Sequence, residues 1–307
     1  MIEPESSGRK ELAEWIADKK NPLTARVYVN RLWHHLFGDG IVSTTDNFGA
    51  RGELPTHPEL LDYLAARLME NGWSTKKAIR EIVLSHVYQI SSVQDEKANE
   101  IDADNKLLWH ANRRRLEVEA IRDTILQVSG HLDNGRGGPS LPLTAQNVHT
   151  IAPFFLEDDS VIEDRVKYRR TVYQPIMRNS QMEGIDILNL FDFKDPDQVA
   201  GTRMPTTVPT QMLYLMNSPF VKDQSRHLAQ GLLYDKSLDD SARVSKIILA
   251  ALNRPAGDRD VQQAHAFISD FKAGLTKASS TSADQDLEAW SRYCHAIWVS
   301  SEFLYRR

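Results

Sequence analysis

The sequence predicts an all-α fold, an irregular multi-helix domain with long loops, on three observations. Apolar residues recur at three- and four-residue spacing along most of the chain, helix caps and breakers stand at the ends of those runs, and the composition is that of a folded globular protein. Of 307 residues, 41% are hydrophobic and 26% charged, and 15 glycines with 13 prolines are too few for a fibrous or wholly disordered chain.

Taken in order, Leu12, Trp15 and Ile16 mark a first amphipathic helix. It ends before Asn21-Pro22, because the residue ahead of a proline is pushed out of the helical region. Pro22 suits the first turn of a second helix that runs to about Phe37 and stops at Gly38. Residues 38–57 are rich in turn formers and read as a long loop. Pro58 opens a third helix, with Leu60, Leu61, Leu64 and Leu68 at helical spacing and Asn71-Gly72 as its stop. Ser74 caps a fourth, whose Ile79, Ile82, Val83 and Ile90 form another apolar stripe.

From Leu107 to about Gly130 the pattern is helical again, with Val118, Ile121, Ile125 and Val128 on one face. Residues 131–165, which contain NGRGGPSLP and an acidic EDDS, read as a long loop between an N-terminal helical half, 1–130, and a C-terminal half, 166–307. The two halves are expected to build one composite domain. YRRTVYQPIMRN fits a short strand or a helix interrupted at Pro175. Further helices are expected over 208–217, 220–233, 241–252, 258–273 and 287–303, with TKASSTSADQ at 276–285 as a polar linker.

The composition also excludes function classes. A net charge of −5 argues against a general nucleic-acid binder, which needs a basic field to displace counterions. The single cysteine, Cys294, rules out an internal disulfide, a cysteine-based zinc site and a CxxCH haem attachment. No HExxH, GxSxG or GK[ST] motif occurs, and GRGGPS at 135–140 lacks the context of a phosphate loop. No cofactor is expected. No apolar run is long enough to span a membrane, and the N-terminus lacks the pattern of a signal peptide. A start almost directly on a helix suggests a piece of a longer protein.

The second helix carries the most informative pattern. On a helical wheel Arg26, Asn30 and His34 lie four apart on one stripe among apolar residues, which leaves only Thr24, Tyr28, Arg31 and His35 for water. A buried stripe of this kind needs partners, because an unpaired buried charge costs several kcal/mol. Glu119 and Asp123, one turn apart, are the first candidates, with Arg122 pointing to another side; Asp46, Asp62 and Asp192 are further ones. His57, held between two prolines, caps a helix or meets a ligand. Arg113, Arg114 and Arg115 read as a solvated run or a patch for an acidic partner. The stripe has a structural reading, arginines stapling helices to loops, and a functional one, a site for an anion, a sugar or a metal.

NPLTARVYVNRLWHHLFGDGIV, DNFGARGELPTHPELLDYLA, GWSTKKAIREIVLSHVYQISS, RRRLEVEAIRDTILQVSG, FDFKDPD, TTVPTQMLYLMNSPFV and CHAIWVSSEFLY together resemble the planctomycete-specific C-terminal domain family, a domain of unknown function. The resemblance runs from about residue 9 to the C-terminus. It implies a mostly helical domain at the end of large exported proteins that also carry a cytochrome c-like domain and a second helical domain. It thereby implies the periplasm or cell envelope, and sister domains as partners. Positions that match the family include Asn21, Arg26, Asn30, Arg31, His34, Asp46, Phe48, Gly49, His57, Pro58, Glu119, Arg122, Asp123, Asp192, Arg203 and Gln211. None brings an assigned catalytic role. Met212, where the family has a smaller residue, is a departure that touches packing.

Three functions compete. The first is a non-catalytic scaffold or binding module, with polysaccharide or the sister domains as partner and Arg26, Asn30, His34, Asp46, His57, Glu119, Arg122, Asp123 and Arg203 as binding residues. The second is a glycan-active enzyme that uses buried carboxylates. The third is a docking partner of the cytochrome-like domain through Arg113 to Arg115. The sequence favours the first.

Overall fold

A computed structural model of the chain describes residues 7–138, 167–174, 186–194, 200–203, 205–275 and 281–306. Among the described residues the fold is all-α. These residues form thirteen α-helices, and strand among them is confined to two-residue stretches at Arg114–Arg115 and Tyr305–Arg306. The chain divides into two compact units. The first holds the residues up to Arg114 together with residues 200–202, and the second begins at Arg115. The break falls upstream of the expected 131–165 loop, of which residues 139–165 lie outside the described residues.

In the first unit, α1 is Arg9–Ala17, α2 Thr24–Phe37, α3 Pro58–Glu70, α4 Thr75–Val83 and α5 Glu96–Ile101. The helix-period line Ala25, Val29, Trp33 and Phe37 on α2 packs against Leu61, Leu64, Ala65 and Leu68 of α3, with Ile41, Val42 and Ile82 closing the cluster. Both expected stops hold: Gly38 follows α2 at φ +105 and Gly72 follows α3 at φ +67. Ser74 caps α4 by accepting the Lys77 N–H.

Two expected helices are shorter than the spacing suggests. The α4 stripe stops at Val83, with a 3₁₀ turn at His86–Tyr88, so Ile90 lies outside it. Residues 107–117 are not helical, because side chains there compete for the backbone. The Asp102 carboxylate accepts the N–H groups of Lys106 and Leu107, and Asn105 donates its amide to the His110 carbonyl and to Asn112 Oδ1. Asn105 and Leu108 both sit at positive φ.

In the second unit, α6 is Val118–Ser129, α7 Asp186–Leu190, α8 Pro209–Asn217, α9 Pro219–Tyr234, α10 Asp240–Leu252, α11 Asp258–Gly274, α12 Ser282–Val299 and α13 Ser301–Leu304. Val118, Ile121 and Ile125 of α6 are fully buried in one cluster with Ile187 and Leu188 of α7, Phe191 just after it, Leu215, Val221 and Trp298. A further cluster joins α9 to α12 through Leu232, Val244, Ile247, Ala264, Ile268, Trp290 and Cys294. Burial pushes the Cys294 thiol far up, which keeps it protonated. The undecided stretch resolves where it is described: Lys167 and Tyr168 are helical, Thr171–Tyr173 is a 3₁₀ turn, and Asp133 and Arg169 form an isolated parallel bridge. No described helix is long and apolar enough to cross a membrane.

Candidate functional site

Five of the sequence-derived site residues belong to the first unit and four to the second, and each set has its own partners. On α2, Asn30 is 1% exposed and fixes the loop after the helix. Its amide donates to the Val42 carbonyl at 2.9 Å, and its Oδ1 accepts the Val42 N–H at 2.8 Å. Gly40 makes this approach possible, since a Cβ there would stand 2.4 Å from the Val42 carbonyl and 2.8 Å from the Asn30 amide. The pairing satisfies both polar groups of a buried backbone residue.

The rest of the stripe is wetter than the wheel suggests. Arg26 is partly exposed and gives its Nε–H to Asp62 at 2.5 Å and an Nη–H to the Pro22 carbonyl. Its hydrogen bond to Asp62 raises the guanidinium and lowers the carboxyl. His34 is half-buried and meets His35 edge-on, with ring centroids 5.6 Å apart. The buried line of α2 is Ala25, Val29, Trp33 and Phe37, and of the three polar residues Asn30 alone is buried with it.

Asp46 accepts the Gly201 N–H at 2.7 Å, and this contact ties residues 200–202 to the first unit. A Cβ at Gly201 would lie 2.1 Å from Asp46 Oδ1, so no other residue fits. His57 occupies the N-cap position of α3 ahead of Pro58, but its side chain makes no cap hydrogen bond; Nδ1 lies 3.0 Å from Thr56 Oγ1 instead.

In the second unit the polar residues of α6 form two clamps. Arg203 donates two parallel hydrogen bonds to Glu119, both at 2.7 Å, and a third to Glu117 at 3.3 Å, while stacking over Phe193. Burial pushes the Glu119 carboxyl up, but the Arg203 hydrogen bonds outweigh it and hold the carboxyl below its usual range. The same bonds raise Arg203.

One turn on, Arg122 and Asp123 hold the 167–174 segment. Arg122 is 7% exposed and donates to the carbonyls of Lys167 and Arg169 and to Thr171 Oγ1. Asp123 Oδ1 accepts the Thr171 N–H at 2.8 Å and its hydroxyl at 2.6 Å. Burial lowers Arg122, and the neighbouring Asp123 charge opposes that. Within this unit Glu119 therefore serves Arg203, while Arg122 and Asp123 share one loop.

Sequence reasoning missed a third node. Arg115 is inside the second unit: its side chain is 5% exposed, and it donates to Asp192 Oδ2 at 2.5 Å, to Gln211 Oε1 at 2.9 Å and to the Thr206 carbonyl. Asp192 sits at φ +61 and also accepts the Thr206 N–H and hydroxyl. Burial raises the Asp192 carboxyl, but the Thr206 and Arg115 hydrogen bonds bring it below its usual range. Position alone, a cation directly before an apolar helix start, was the only signal for Arg115. The reading of Arg113 to Arg115 as one surface run therefore fails at Arg115, which is spent internally; Arg114 in turn donates to the His35 carbonyl.

A fourth node, Arg254 with Asp260 and Glu302, is bidentate to both carboxylates. Its hydrogen bonds hold Asp260 down at about 2. Among the described residues no group of three or more His, Cys, Asp or Glu is placed to hold a metal ion. Chemically, these arrangements fix loops with charge and leave the participating carboxylates occupied.

The family model described as protein of unknown function, DUF1553 (PSD1), matches residues 8–268. The chain belongs to this family. Neither the curated proteins nor the solved structures contain a match to the chain. The DUF1553 match begins one residue before α1 and ends within α11, so it takes in both units and the residues of three of the four nodes; in the fourth it includes Arg254 and Asp260 and stops short of Glu302.

Proposed function

We propose that this DUF1553 chain is a non-catalytic helical scaffold or binding module of a planctomycete cell-envelope protein. Its partners are then the sister domains of the parent protein, a cytochrome c-like domain among them, with polysaccharide as a further ligand class. One observation carries this reading: the carboxylates proposed as acid and base are engaged by cations or backbone of the same unit, Glu119 by Arg203 and Asp123 by Thr171. A glycosidase needs two carboxyl groups about 5 to 9.5 Å apart across an open cleft, one of them free to carry a proton. A carboxyl held below its usual range by a bidentate arginine is a poor proton donor at neutral pH.

A thermal-shift screen of the chain against soluble glycans and divalent metals tests the reading, since a ligand at 100 times its Kd adds about 2.7 kcal/mol. The expected result is no shift that depends on Glu119 or Asp123, with Glu119→Gln and Asp123→Asn lowering the midpoint of the unliganded chain. Turnover of a glycan that is lost in Glu119→Gln while the fold stays intact would establish the enzyme instead.

A further inference from the structure

In the second unit His131, directly after the Gly130 that ends α6, lies in the middle of a three-ring stack. Its ring centroid is 3.6 Å from that of His227 on α9, with the planes 25° apart, and 4.6 Å from that of Tyr168. His131 Nδ1 is 2.8 Å from Gln224 Oε1, which also accepts the Ser129 hydroxyl at 2.8 Å. Gln224 is 2% exposed, and its oxygen can only accept, so Nδ1 of His131 carries a proton in this arrangement. The stack lies where two segments meet, for Asp133 donates its N–H to the Tyr168 carbonyl and Asp133 bridges Arg169.

Two stacked imidazoles are compatible while at most one is charged. A second proton would place two like charges at van der Waals distance in a half-buried site. We propose that the Tyr168–His131–His227 stack is an acid-opened latch: protonation of both imidazoles expels His227 toward Asp223, one turn earlier on α9, and releases residues 131–138 from 167–174. An imidazolium four residues after a carboxylate on a helix gains an ion pair, which gives the opened state a destination.

Across the same junction Arg169 also donates to the Gly137 carbonyl, while most charged groups near the two histidines are already paired. On α6, Glu119 is held by Arg203, and Arg122 and Asp123 are committed to the 167–174 segment. That segment carries Lys167, Arg169 and Arg170, and the loop after α6 carries Asp133 and Arg136. On α9, Arg226 faces Glu288 of α12, which Arg292 also holds, and α12 further carries Asp284, Asp286, Tyr293 and His295. The packed α8 contributes Tyr214 and no charged residue. Burial first, and then the His131 charge, depress His227.

The sign follows. A histidine whose closed-state pKa is depressed stabilises the closed state fully above the ordinary histidine value of about 6.5. That stabilisation is lost as the pH falls through 6.5 toward the depressed value.

Amide exchange of the full chain at pH 7.5, 6.5, 5.5 and 5.0, corrected for the intrinsic pH dependence of exchange, reads the latch directly. Protection of peptides covering 131–138 and 167–174 is expected to fall at least tenfold between pH 7.5 and 5.0, while α10 and α11 stay protected. In His227→Phe, which keeps a stacked ring without a charge, protection of the same peptides is expected to stay flat over that range. Unchanged protection in the wild type, or an equal fall in His227→Phe, overturns the proposal. Should His227→Phe fail to fold, the imidazole resonances of the wild type decide. Two separated midpoints, the lower one below the ordinary histidine range, support the latch, and two independent ordinary titrations overturn it.

Discussion

The two compact units fasten their loops with different chemistry. The first relies largely on neutral amides that meet backbone: Asn30 on Val42, Asn105 on His110, and Asn21, whose Oδ1 accepts the N–H groups of Leu23 and Thr24. The second relies on arginines: Arg115 on Asp192, Arg122 on the 167–174 carbonyls, Arg203 on Glu119, and Arg254 on Asp260 and Glu302. A neutral amide pair has no protonation state to lose, and a buried ion pair loses its attraction once its carboxylate is neutralised. The difference teaches that acid should act on the second unit first.

The sharpest way to separate the units is to remove the deepest cation. Arg115→Met leaves Asp192 inside without its partner, and is expected to cost the second unit about 3 to 5 kcal/mol. Amide exchange should show the loss in α6 and α8, with α2 and α3 unchanged. Next in size, Asn30→Ala strands the Val42 N–H and carbonyl in the core of the first unit. A loss of about 2 to 4 kcal/mol by urea denaturation is expected, the same at pH 5 as at pH 8 because no titrating group is involved.

Acid provides the third contrast. Glu119, Asp192 and Asp260 are all held below their ordinary range in the folded state. Their stabilisation is therefore present above the ordinary carboxylate value, about 4, and is lost as the pH falls below it. Exchange at pH 3 should expose the second unit while α2 and α3 remain protected; simultaneous loss of both would break the comparison. A smaller effect is expected for Arg203→Lys, which keeps the charge and gives up the two-pronged geometry, at about 1 kcal/mol. Least of all, Arg26→Gln removes a partly exposed pair with Asp62 and should leave the denaturation midpoint where it was.

The apolar spacing made most of the helices legible. Leu61, Leu64 and Leu68 defined α3, and Val118, Ile121 and Ile125 defined α6, because burial on one face imposes the helical period on the chain itself. The same logic missed α5 and α7. Glu96–Ile101 has no buried residue to write a pattern, and Asp186–Leu190 is too short to repeat one. It also ran the α6 helix backward through 107–117, where the hydrogen bonds of Asp102 and Asn105 override the period.

The candidate residues themselves were legible as polar groups inside apolar helices, and of the carboxylates suspected as partners of the α2 stripe Asp62 does meet Arg26, whereas Asp192 meets Arg115 instead. Which arginine meets which carboxylate was not. Arg203 and Glu119 are 84 residues apart, and Arg115 and Asp192 are 77 apart, so the pairing is written only in the folded path of the chain.

The Asp46–Gly201 contact bears on how such a chain can be inherited. Residues 200–202 are encoded between two stretches of the second unit, yet they group with the first, where Gly201 meets Asp46. A gene segment that ends at Arg114 would encode an Asp46 with no amide to receive, and one that starts at Arg115 would carry a stretch belonging to the part left behind. The two units are thus interleaved in the chain, and no single cut in the gene separates them cleanly.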